Sequence, residues 1–310
     1  MKKFFLKIIG TALIFNLSFV LAYSQTLDLT IGSYNIRYDN KNDRPNGNGW
    51  DHRLPVISSL IQFIDYDILG CQEVLINQLE DLTQQLPGYA YVGVGRQDGK
   101  DAGEFAPIFY KKDMFNVLDS GNFWLSETPD KPSKGWDAAL PRICTYIHLE
   151  EKNTGKKLWF FNLHMDHVGT KAREESSKLV VRRIKDMLKP HEAAVLTGDF
   201  NVDQNNPIYN IIEQSGVIRD SYVVAPLRYA WSGTFNAFDT NLFTDSRIDH
   251  VFVTEHLKVK NYAILTESYR APKASSREVK KGDFPKELSF KDYEAKLPSD
   301  HFPIVVKAKF

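Results

Sequence analysis

The chain has 310 residues, of which 43% are hydrophobic and 25% are charged, a composition typical of a globular protein. Its 39 basic and 39 acidic side chains balance, which argues against a strongly basic protein that binds nucleic acid non-specifically. The length fits one large domain or two smaller ones, and neither an internal repeat nor a glycine-serine linker divides the sequence.

The first 24 residues have the pattern of a secretory signal peptide. Three lysines among residues 1–7 precede an apolar run from Ile8 to Leu21, and small residues at positions 22 and 24 predict cleavage before Gln25. The run is short for a membrane span, so we expect an exported protein, periplasmic or secreted, without a stable membrane anchor. Removing three of the 39 basic side chains and none of the 39 acidic ones leaves a formal charge of −3.

The first predicted strands of the mature chain carry polar side chains at their ends. An alternating strand near the new N-terminus ends close to Asn35. Residues 50–64 have apolar side chains at helical spacing, and a buried strand then ends on Glu73. A further strand opens with Glu104. Each of these three polar residues has an ordinary explanation as a turn former or a helix-terminal residue.

The middle of the chain predicts a hairpin followed by a helix. A strand that begins after Arg142 turns at residues 153–155 and returns directly into His164. His167 follows three residues later, and an amphipathic helix is expected over residues 171–189. The hairpin therefore delivers histidines to the point where its second strand ends.

A buried apolar run follows this helix and ends in Gly198-Asp199-Phe200-Asn201. If the strand continues, a spacing of two puts Asp199 and Asn201 on the same side. A carboxylate and an amide placed there form a good oxygen-ligand pair for a hard metal ion or a bound water. The same residue types are common turn formers, so this stretch alone leaves both interpretations open.

Two strands near the C-terminus carry an acid and a histidine at their start. Asp249 and His250 open one of them, and Asp300 and His301 precede the last. Between these strands, residues 267–297 are lysine-rich with little periodicity, which predicts an inserted surface loop. Many strands with few helices predict one domain of sheets with outer helices.

The polar residues at these strand ends indicate a metal-assisted hydrolase. Zinc prefers His and Cys ligands, and residues 164–167 offer only an incomplete set. A zinc metallophosphoesterase would also require a Gly-Asn-His motif downstream of Gly-Asp, which this sequence lacks. The excess of carboxylates and amides favours Mg²⁺, with Mn²⁺ or Ca²⁺ as alternatives, and therefore a phosphate ester substrate.

Six short motifs, taken in order, make the sequence resemble a known family. They are Tyr34-Asn35-Ile36-Arg37, Gln72-Glu73-Val74, Asn162-Leu163-His164, Gly198-Asp199-Phe200-Asn201, Arg247-Ile248-Asp249-His250 and Ser299-Asp300-His301. Together they are similar to the endonuclease/exonuclease/phosphatase superfamily, whose fold is that of pancreatic deoxyribonuclease. The resemblance implies one catalytic domain over residues 25–310, an α/β four-layer sandwich of two packed mixed β-sheets flanked by helices.

The resemblance also implies a metal site and a proton-transfer site. Glu73 would be the principal metal carboxylate, with Asn35 and Asp300 beside it. His301 would be the general base or a histidine that polarises the phosphate, and Asp249 would orient it. This fits the chemistry of the side chains, because histidine transfers protons near neutral pH and a buried acid behind it fixes its tautomer.

Four more residues receive roles by the same resemblance. Asp199 and Asn201 would position the attacking water and a phosphate oxygen. His164 would donate to a phosphate oxygen, and Glu104 matches the acid that pairs with this histidine in the deoxyribonuclease branch. The implied reaction is hydrolysis of a phosphodiester or phosphomonoester by an activated water.

The substrate stays open among a small or sugar phosphate, a lipid headgroup and a nucleic acid. Arg142 could bind a second phosphate or a carboxylate, although a structural ion pair is an equal alternative, and His167 could line the substrate entrance. The mature charge disfavours nucleic acid, and the lysine-rich stretch over residues 273–291 partly restores that option. A sphingomyelinase-like enzyme would need exposed aromatic side chains, for which Phe123, Trp124 and Trp136 are candidates.

Three further expectations follow from the sequence. A non-catalytic binding protein on the same fold is an alternative, but it would be expected to have lost site residues, and none of those named above is missing. We expect a monomer. Cys71 and Cys144 lie in apolar stretches and are expected to be buried thiols rather than a disulfide.

Overall fold

The computed structural model of the protein describes residues 26–273, 282–288 and 290–310. Its strands are β1 (Asp28–Asn35), β2 (Ile68–Gln72), β3 (Tyr89–Val92), β4 (Ile108–Lys111), β5 (Phe115–Trp124), β6 (Ile143–Glu151), β7 (Lys157–His164), β8 (Ala193–Asp199), β9 (Arg219–Asp220), β10 (Leu227–Tyr229), β11 (Asp249–Val253), β12 (Lys258–Ile264), β13 (Tyr269–Pro272), β14 (Tyr293–Lys296) and β15 (Ile304–Lys309). Its helices are α1 (Trp50–Ile64), α2 (Ile76–Gln85), α3 (Thr170–Met187), α4 (Pro207–Glu213) and α5 (Ser221–Val224), with a 3₁₀ helix at Lys41–Asn46. The predicted signal peptide lies outside the described residues.

The strands form two large mixed sheets. The first has the order β10-β12-β15-β1-β2-β4-β3, in which β1 pairs with β2 in parallel and with β15 antiparallel. The second has the order β5-β6-β7-β8-β11-β9, in which only β7 and β8 run parallel. Each sheet therefore combines hairpins with one or two crossover connections, which is the mixed arrangement predicted from the sequence.

The two sheets pack face to face over a common apolar core. Ile31 on β1 and Val306 on β15 face Phe160 on β7 and Val195 on β8 in a single buried cluster. Alternation along β1 places Leu29 and Ile31 in this layer, because successive side chains of a strand point to opposite faces. The outer faces belong to two other clusters.

Helices cover both outer faces. Ile57 and Ile61 on α1 and Leu82 on α2 pack on the first sheet, and α3 and α4 pack on the second. The apolar side chains of α1 recur at helical spacing, while Phe63 between them is 85% exposed. The result is the predicted four-layer order of helices, sheet, sheet and helices.

The strand directions bring the polar strand ends to one edge of the sandwich. Because β1 and β2 are parallel, Asn35 at the end of β1 and Glu73 just after β2 lie at the same edge. On the second sheet, His164 pairs with Asp199 across the parallel β7 and β8, and Asp249 at the start of the antiparallel β11 pairs with Asp199 as well. The topology thus assembles residues that are far apart in sequence.

Three sequence expectations are settled by the fold. The segment expected to be an inserted loop over residues 267–297 instead carries a two-stranded antiparallel sheet, because its two ends pair with each other, from Tyr269 with Lys296 to Pro272 with Tyr293. Phe123 and Trp124 are 3% and 5% exposed, so the idea that they are exposed aromatics is wrong, since β5 packs them into the protein. Cys71 and Cys144 are buried and free, as predicted.

Among the residues that the structure describes, no helix is both long enough and apolar enough to cross a bilayer.

Candidate active site

The Gly198-Asp199-Phe200-Asn201 stretch is both a strand end and a turn. Strand β8 ends at Asp199, and Asn201 has a φ of 50°, in the left-handed region. The backbone N–H of Asn201 donates to the Asp199 carboxylate over 2.9 Å, and its amide donates to the Met165 carbonyl over 3.1 Å. Both side chains line the same cavity, but through this turn and not through the pleat of a continuing strand. A side chain on Gly198 would collide with the Leu163 carbonyl, so only glycine fits there.

The carboxylate of Asp199 is the centre of the site. Its Oδ2 accepts from Asn35 Nδ2 over 3.0 Å and lies 3.5 Å from His164 Nε2 and 3.8 Å from His301 Nε2. Burial raises the pKa of this carboxyl, and the charge of Asp249 adds to the rise. Asp199 is therefore a better proton acceptor than an exposed aspartate.

His301 and Asp249 form a buried pair beside it. His301 Nδ1 donates to Asp249 Oδ2 over 2.8 Å, because an ionised carboxylate can only accept. Burial lowers the pKa of His301, but the carboxylates of Asp249 and Asp199 outweigh this effect and hold the pKa well above its ordinary value. The ring of Phe235 packs edge-on against the imidazole at 5.1 Å. The pair leaves Nε2 of His301 directed at Asp199.

Glu73 and Asn35 lie on the first sheet's side of the cavity. Glu73 follows β2 with a φ of 60°, and its Oε2 accepts from the backbone N–H of Tyr38 over 3.2 Å. Asn35 Nδ2 donates to Glu73 Oε1 over 3.1 Å, while its Oδ1 accepts from the N–H of Arg37. In this orientation Asn35 presents its donor side to the carboxylates.

Asp300 lies beside these residues and contacts an arginine. Its carboxylate is 3.5 Å from Arg37, whose Nε also donates to Asp43 over 2.9 Å. Burial raises the pKa of Asp300 to about 6, and the nearby Glu73 adds to the rise. The preceding Ser299 donates from its hydroxyl to the Asn35 carbonyl over 2.6 Å, which ties the two segments together.

The opposite side of the cavity is basic. His164 Nδ1 lies 3.6 Å from Glu104 Oε2, and Arg96 donates to the other oxygen of Glu104 over 2.7 Å. Burial lowers the pKa of His164 to about 3, and the charge of Arg142 pushes it in the same direction. His164 is therefore neutral over the whole physiological range.

Arg142 forms the structural ion pair that was one of the two alternatives left open by the sequence. Its Nε donates to Asp166 over 3.2 Å, and its Nη2 donates to His167 Nδ1 over 2.9 Å. Its Nη1 is buried without a hydrogen-bond partner, and both Arg142 and His167 line the cavity. The residue is thus part of an ion pair and still offers one donor toward the cavity.

The cavity has a volume of about 530 Å³ and brings together nearly all the predicted site residues. Of these, Asn35 and Asp249 lie just behind its lining and contact it through Asp199 and His301. The lining also contains residues that the sequence did not single out, namely Arg37, Tyr38, Arg96, Leu140, Phe235 and Ile248. Arg37 stood inside the first motif, which was its only signal. His250 faces away, toward the Val202 carbonyl at 2.9 Å and toward Asp220.

Arg53 is a further residue that the sequence did not reveal. It is fully buried, and its guanidinium donates to the carbonyls of residues 36, 37, 38, 48 and 298. These carbonyls belong to the segment after Asn35 and the segment before Asp300. The hydrogen bonds from the Arg53 guanidinium to these backbone carbonyls therefore fix the two segments relative to each other.

The described residues contain two compact sets of groups that could hold a cation. One is Glu73, His164 and Asp199, and the other is Asp199, Asp249 and His301. Asp249 Oδ1 and Glu104 Oε2 are buried oxygens without a hydrogen-bond partner, and the carboxyls of Asp199 and Asp300 have raised pKa values. Buried carboxylates in excess of their partners are the environment that a divalent cation relieves, so the donor set fits one.

Comparisons with known proteins agree with this geometry. The model of the endonuclease/exonuclease/phosphatase family matches residues 32–301. A family member from Bacteroides thetaiotaomicron, of known crystal structure, has 49% identity and a TM-score of 0.85, over 92% of this chain and 99% of that one. A mannosyl-6-phosphatase of the same organism has 49% identity and a TM-score of 0.84, over 91% and 100%. The uncharacterized protein L388 of Acanthamoeba polyphaga mimivirus is 29% identical over 227 residues, 69% of this chain and 82% of that protein. The chain belongs to the endonuclease/exonuclease/phosphatase family.

Proposed function

We propose that the protein is an exported, divalent-metal-dependent phosphoesterase whose substrate is a phosphomonoester of a sugar. The observation that carries the proposal is the Asp199 carboxylate, which lies within 3.8 Å of both His164 Nε2 and His301 Nε2 on the floor of the cavity. A phosphoryl group held there would meet a proton acceptor between two imidazoles. This is the constellation that hydrolysis by an activated water requires.

In the proposed reaction, Asp199 accepts the proton of the attacking water. Its raised pKa makes it basic enough for this task, and Asn201 helps to orient the water. His301 carries a proton on Nε2 because its pKa is raised, and it donates to a phosphoryl oxygen. Of the two roles that the family resemblance allowed for His301, the charge distribution thus favours the phosphate-polarising one.

On the basic side, neutral His164 donates one hydrogen bond to another phosphoryl oxygen. The single proton of the neutral ring must then lie on Nε2, so Nδ1 faces Glu104 Oε2 across 3.6 Å without a hydrogen bond. The donors of Arg96 and Arg142 face the same cavity and oppose the charge that a dianionic monoester brings. Two buried guanidinium groups on one wall favour a terminal phosphate over a diester with a single charge.

Glu73 and Asp300 are the carboxylates that would hold a divalent cation, with Asn35 beside them once its amide turns its oxygen to the site. When bound, the cation supplies Lewis-acid stabilisation of charge on the phosphoryl oxygens. Mg²⁺ is the proposed ion, because it favours one or two carboxylates together with substrate phosphate, and Mn²⁺ or Ca²⁺ are the alternatives. Asp199 belongs to both compact sets of cation-binding groups, so it could also approach the ion.

The choice of a sugar phosphate rests on the relative named a mannosyl-6-phosphatase, which matches this chain over 91% of its length. Export rests on the N-terminal pattern of residues 1–24, and a monomer is proposed from the sequence alone. A nuclease remains the second candidate because three arginines line the cavity and could hold a polyphosphate backbone.

A direct test compares mannose 6-phosphate, bis-p-nitrophenyl phosphate and single-stranded DNA as substrates of the purified protein with Mg²⁺. We expect release of inorganic phosphate from mannose 6-phosphate, loss of activity in EDTA and recovery on adding Mg²⁺. Preferential cleavage of DNA would favour the nuclease. Absence of hydrolysis of every phosphate ester, with metal shown to bind by calorimetry, would reject the enzyme in favour of a binding protein.

A further inference from the structure

A second pocket lies beside the catalytic cavity and is rimmed by exposed aromatic side chains. It has a volume of about 240 Å³, and we call it the outer pocket, lined by Gln204, Tyr222, Ala230, Trp231, Ser232, Phe243, Asp245 and Arg247. Trp231 is 82% exposed and Phe243 is 73% exposed. Large aromatic side chains that are exposed together at a concave site are typical of a binding surface. Single exposed aromatic side chains elsewhere on a protein do not form such a pocket.

Two chain segments connect the lining of the outer pocket to that of the catalytic cavity. Trp231 and Ser232 lead into Phe235, which lines the catalytic cavity and packs on His301. Arg247 of the outer pocket is followed directly by Ile248 of the catalytic cavity, and consecutive Cα atoms are about 3.8 Å apart. The linings of the two cavities therefore adjoin along both segments.

Backbone hydrogen bonds hold the two walls of the outer pocket together. Gly233 N–H donates to the Thr244 carbonyl over 2.6 Å, and Thr234 N–H donates to the Ser246 carbonyl over 3.2 Å. Gln204 bridges the second wall, since it donates to the Asp245 carbonyl and accepts from the Arg247 N–H. The segments that carry Trp231 and Phe243 are thus held together by hydrogen bonds.

The charges of the outer pocket exclude two of its conceivable ligands. Residues 229–246 contain two aspartates and neither lysine nor arginine. The one cation in the lining, Arg247, donates to Asp220 over 2.8 Å and lies 3.9 Å above the ring of Tyr222. A nucleic-acid backbone or an anionic lipid surface would need free positive charge here, and this segment would repel both.

We propose that the outer pocket binds a neutral pyranose unit next to the phosphorylated sugar, so that the preferred substrate is a phosphate-bearing oligosaccharide. Trp231 and Phe243 supply flat apolar faces for the C–H side of the ring, and Ser232, Gln204 and Asp245 supply acceptors and donors for hydroxyl groups. The choice of a sugar as ligand rests on the proposed function. The pocket is a subsite of the same catalytic cavity.

The test measures binding and specificity separately. Calorimetry with unphosphorylated mannotriose should show saturable binding that Trp231→Ala abolishes and that Phe63→Ala, 85% exposed on α1, does not change. The ratio of kcat/KM for mannotriose carrying a terminal 6-phosphate to kcat/KM for mannose 6-phosphate should fall about tenfold in Trp231→Ala, the loss of roughly one aromatic contact. Phe243→Ala should lower the same ratio, and Phe63→Ala should leave it unchanged.

The outcomes separate this inference from the proposed function. Hydrolysis of mannose 6-phosphate without mannotriose binding, and with an unchanged ratio in Trp231→Ala, overturns the sugar subsite alone. Trp231-dependent binding of mannotriose without any phosphate hydrolysis supports the sugar subsite and rejects the proposed reaction. Trp231-dependent binding of an oligothymidylate or of phosphatidylcholine vesicles, with none of mannotriose, overturns the sugar subsite in favour of that ligand.

Discussion

Each of the two sides of the catalytic cavity carries a buried histidine, and the two histidines have opposite electrostatic environments. His301 and His164 are 5% and 7% exposed, and both direct Nε2 at the same oxygen of Asp199. Carboxylates surround His301 and raise its pKa well above the ordinary value, whereas burial and arginines lower that of His164 to about 3. Similar burial is thus accompanied by opposite pKa shifts, because the neighbouring charges decide which form is favoured.

In the proposed reaction, this difference places a charged donor on one side of the phosphoryl group and a neutral donor on the other. Removing His301, the histidine surrounded by carboxylates, should have the largest effect on kcat. We expect His301→Ala to lower kcat by about 10³-fold, because it removes a charged donor to the phosphoryl oxygens. Steady-state phosphate release measures this, with the exposed His256→Ala as the matched control. A decrease below about tenfold would mean that His301 acts only in packing.

Asp199 lies between His301 and His164, and its replacement should cause the second-largest decrease in kcat. Asp199→Asn keeps the shape of the side chain but removes the proton acceptor, so we expect kcat to fall by about 10²-fold or more. Metal affinity measured by calorimetry should change much less, because Glu73 and Asp300 remain. The exposed Asp119→Asn is the control. Loss of metal binding in Asp199→Asn would make Asp199 a principal ligand.

The pH dependence of Asp249→Asn tests the charge on His301. Asp249 raises the pKa of His301, so removing its charge must lower that pKa. If protonated His301 is the active form, the alkaline limb of the kcat profile moves to lower pH. If neutral His301 were the base, the acidic limb would move to lower pH instead. The limb that moves in a pH–rate profile therefore decides between the two roles.

The smallest effect on activity is expected from replacing Arg142, on the basic side of the cavity. Arg142→Met removes a cation that lowers the pKa of His164, so this pKa should rise, which NMR titration of the imidazole can follow. We expect KM for a phosphomonoester to rise about tenfold with a smaller change in kcat, since the arginine contributes to binding the dianion. Arg182→Met, at an exposed position of α3, is the control. Unchanged KM together with reduced thermal stability would leave Arg142 with a structural role only.

The sequence predicted the fold and the chemical inventory of the site for a physical reason. Periodicity located the strands, and ordered polar motifs stood where those strands end. Parallel pairing of β1 with β2 and of β7 with β8 then brings the ends to one edge, as the family resemblance implied. The free, buried state of Cys71 and Cys144 followed from their apolar neighbours in the same way.

Other features depend on contacts between distant segments, and local patterns do not record them. Arg53 and Arg96 had no signal in the sequence, although one fixes the backbone around Asn35 and Asp300 and the other contacts Glu104. Trp231 and Phe243 are exposed at the outer pocket, while Phe123 and Trp124 are buried in apolar clusters. An aromatic residue looks the same in sequence whether a neighbour covers it or not.

The sequence by itself therefore determined the family, the sandwich of two sheets and the set of acids, amides and histidines available for catalysis. It could do so because strand periodicity and strand-end motifs are local properties of the chain. Only the tertiary structure decided that the pKa of His301 is raised and that of His164 lowered, that Arg142 keeps a free donor, and that an outer pocket adjoins the catalytic cavity. Each of these depends on the charge, burial or position of groups far away in sequence, which folding alone brings together.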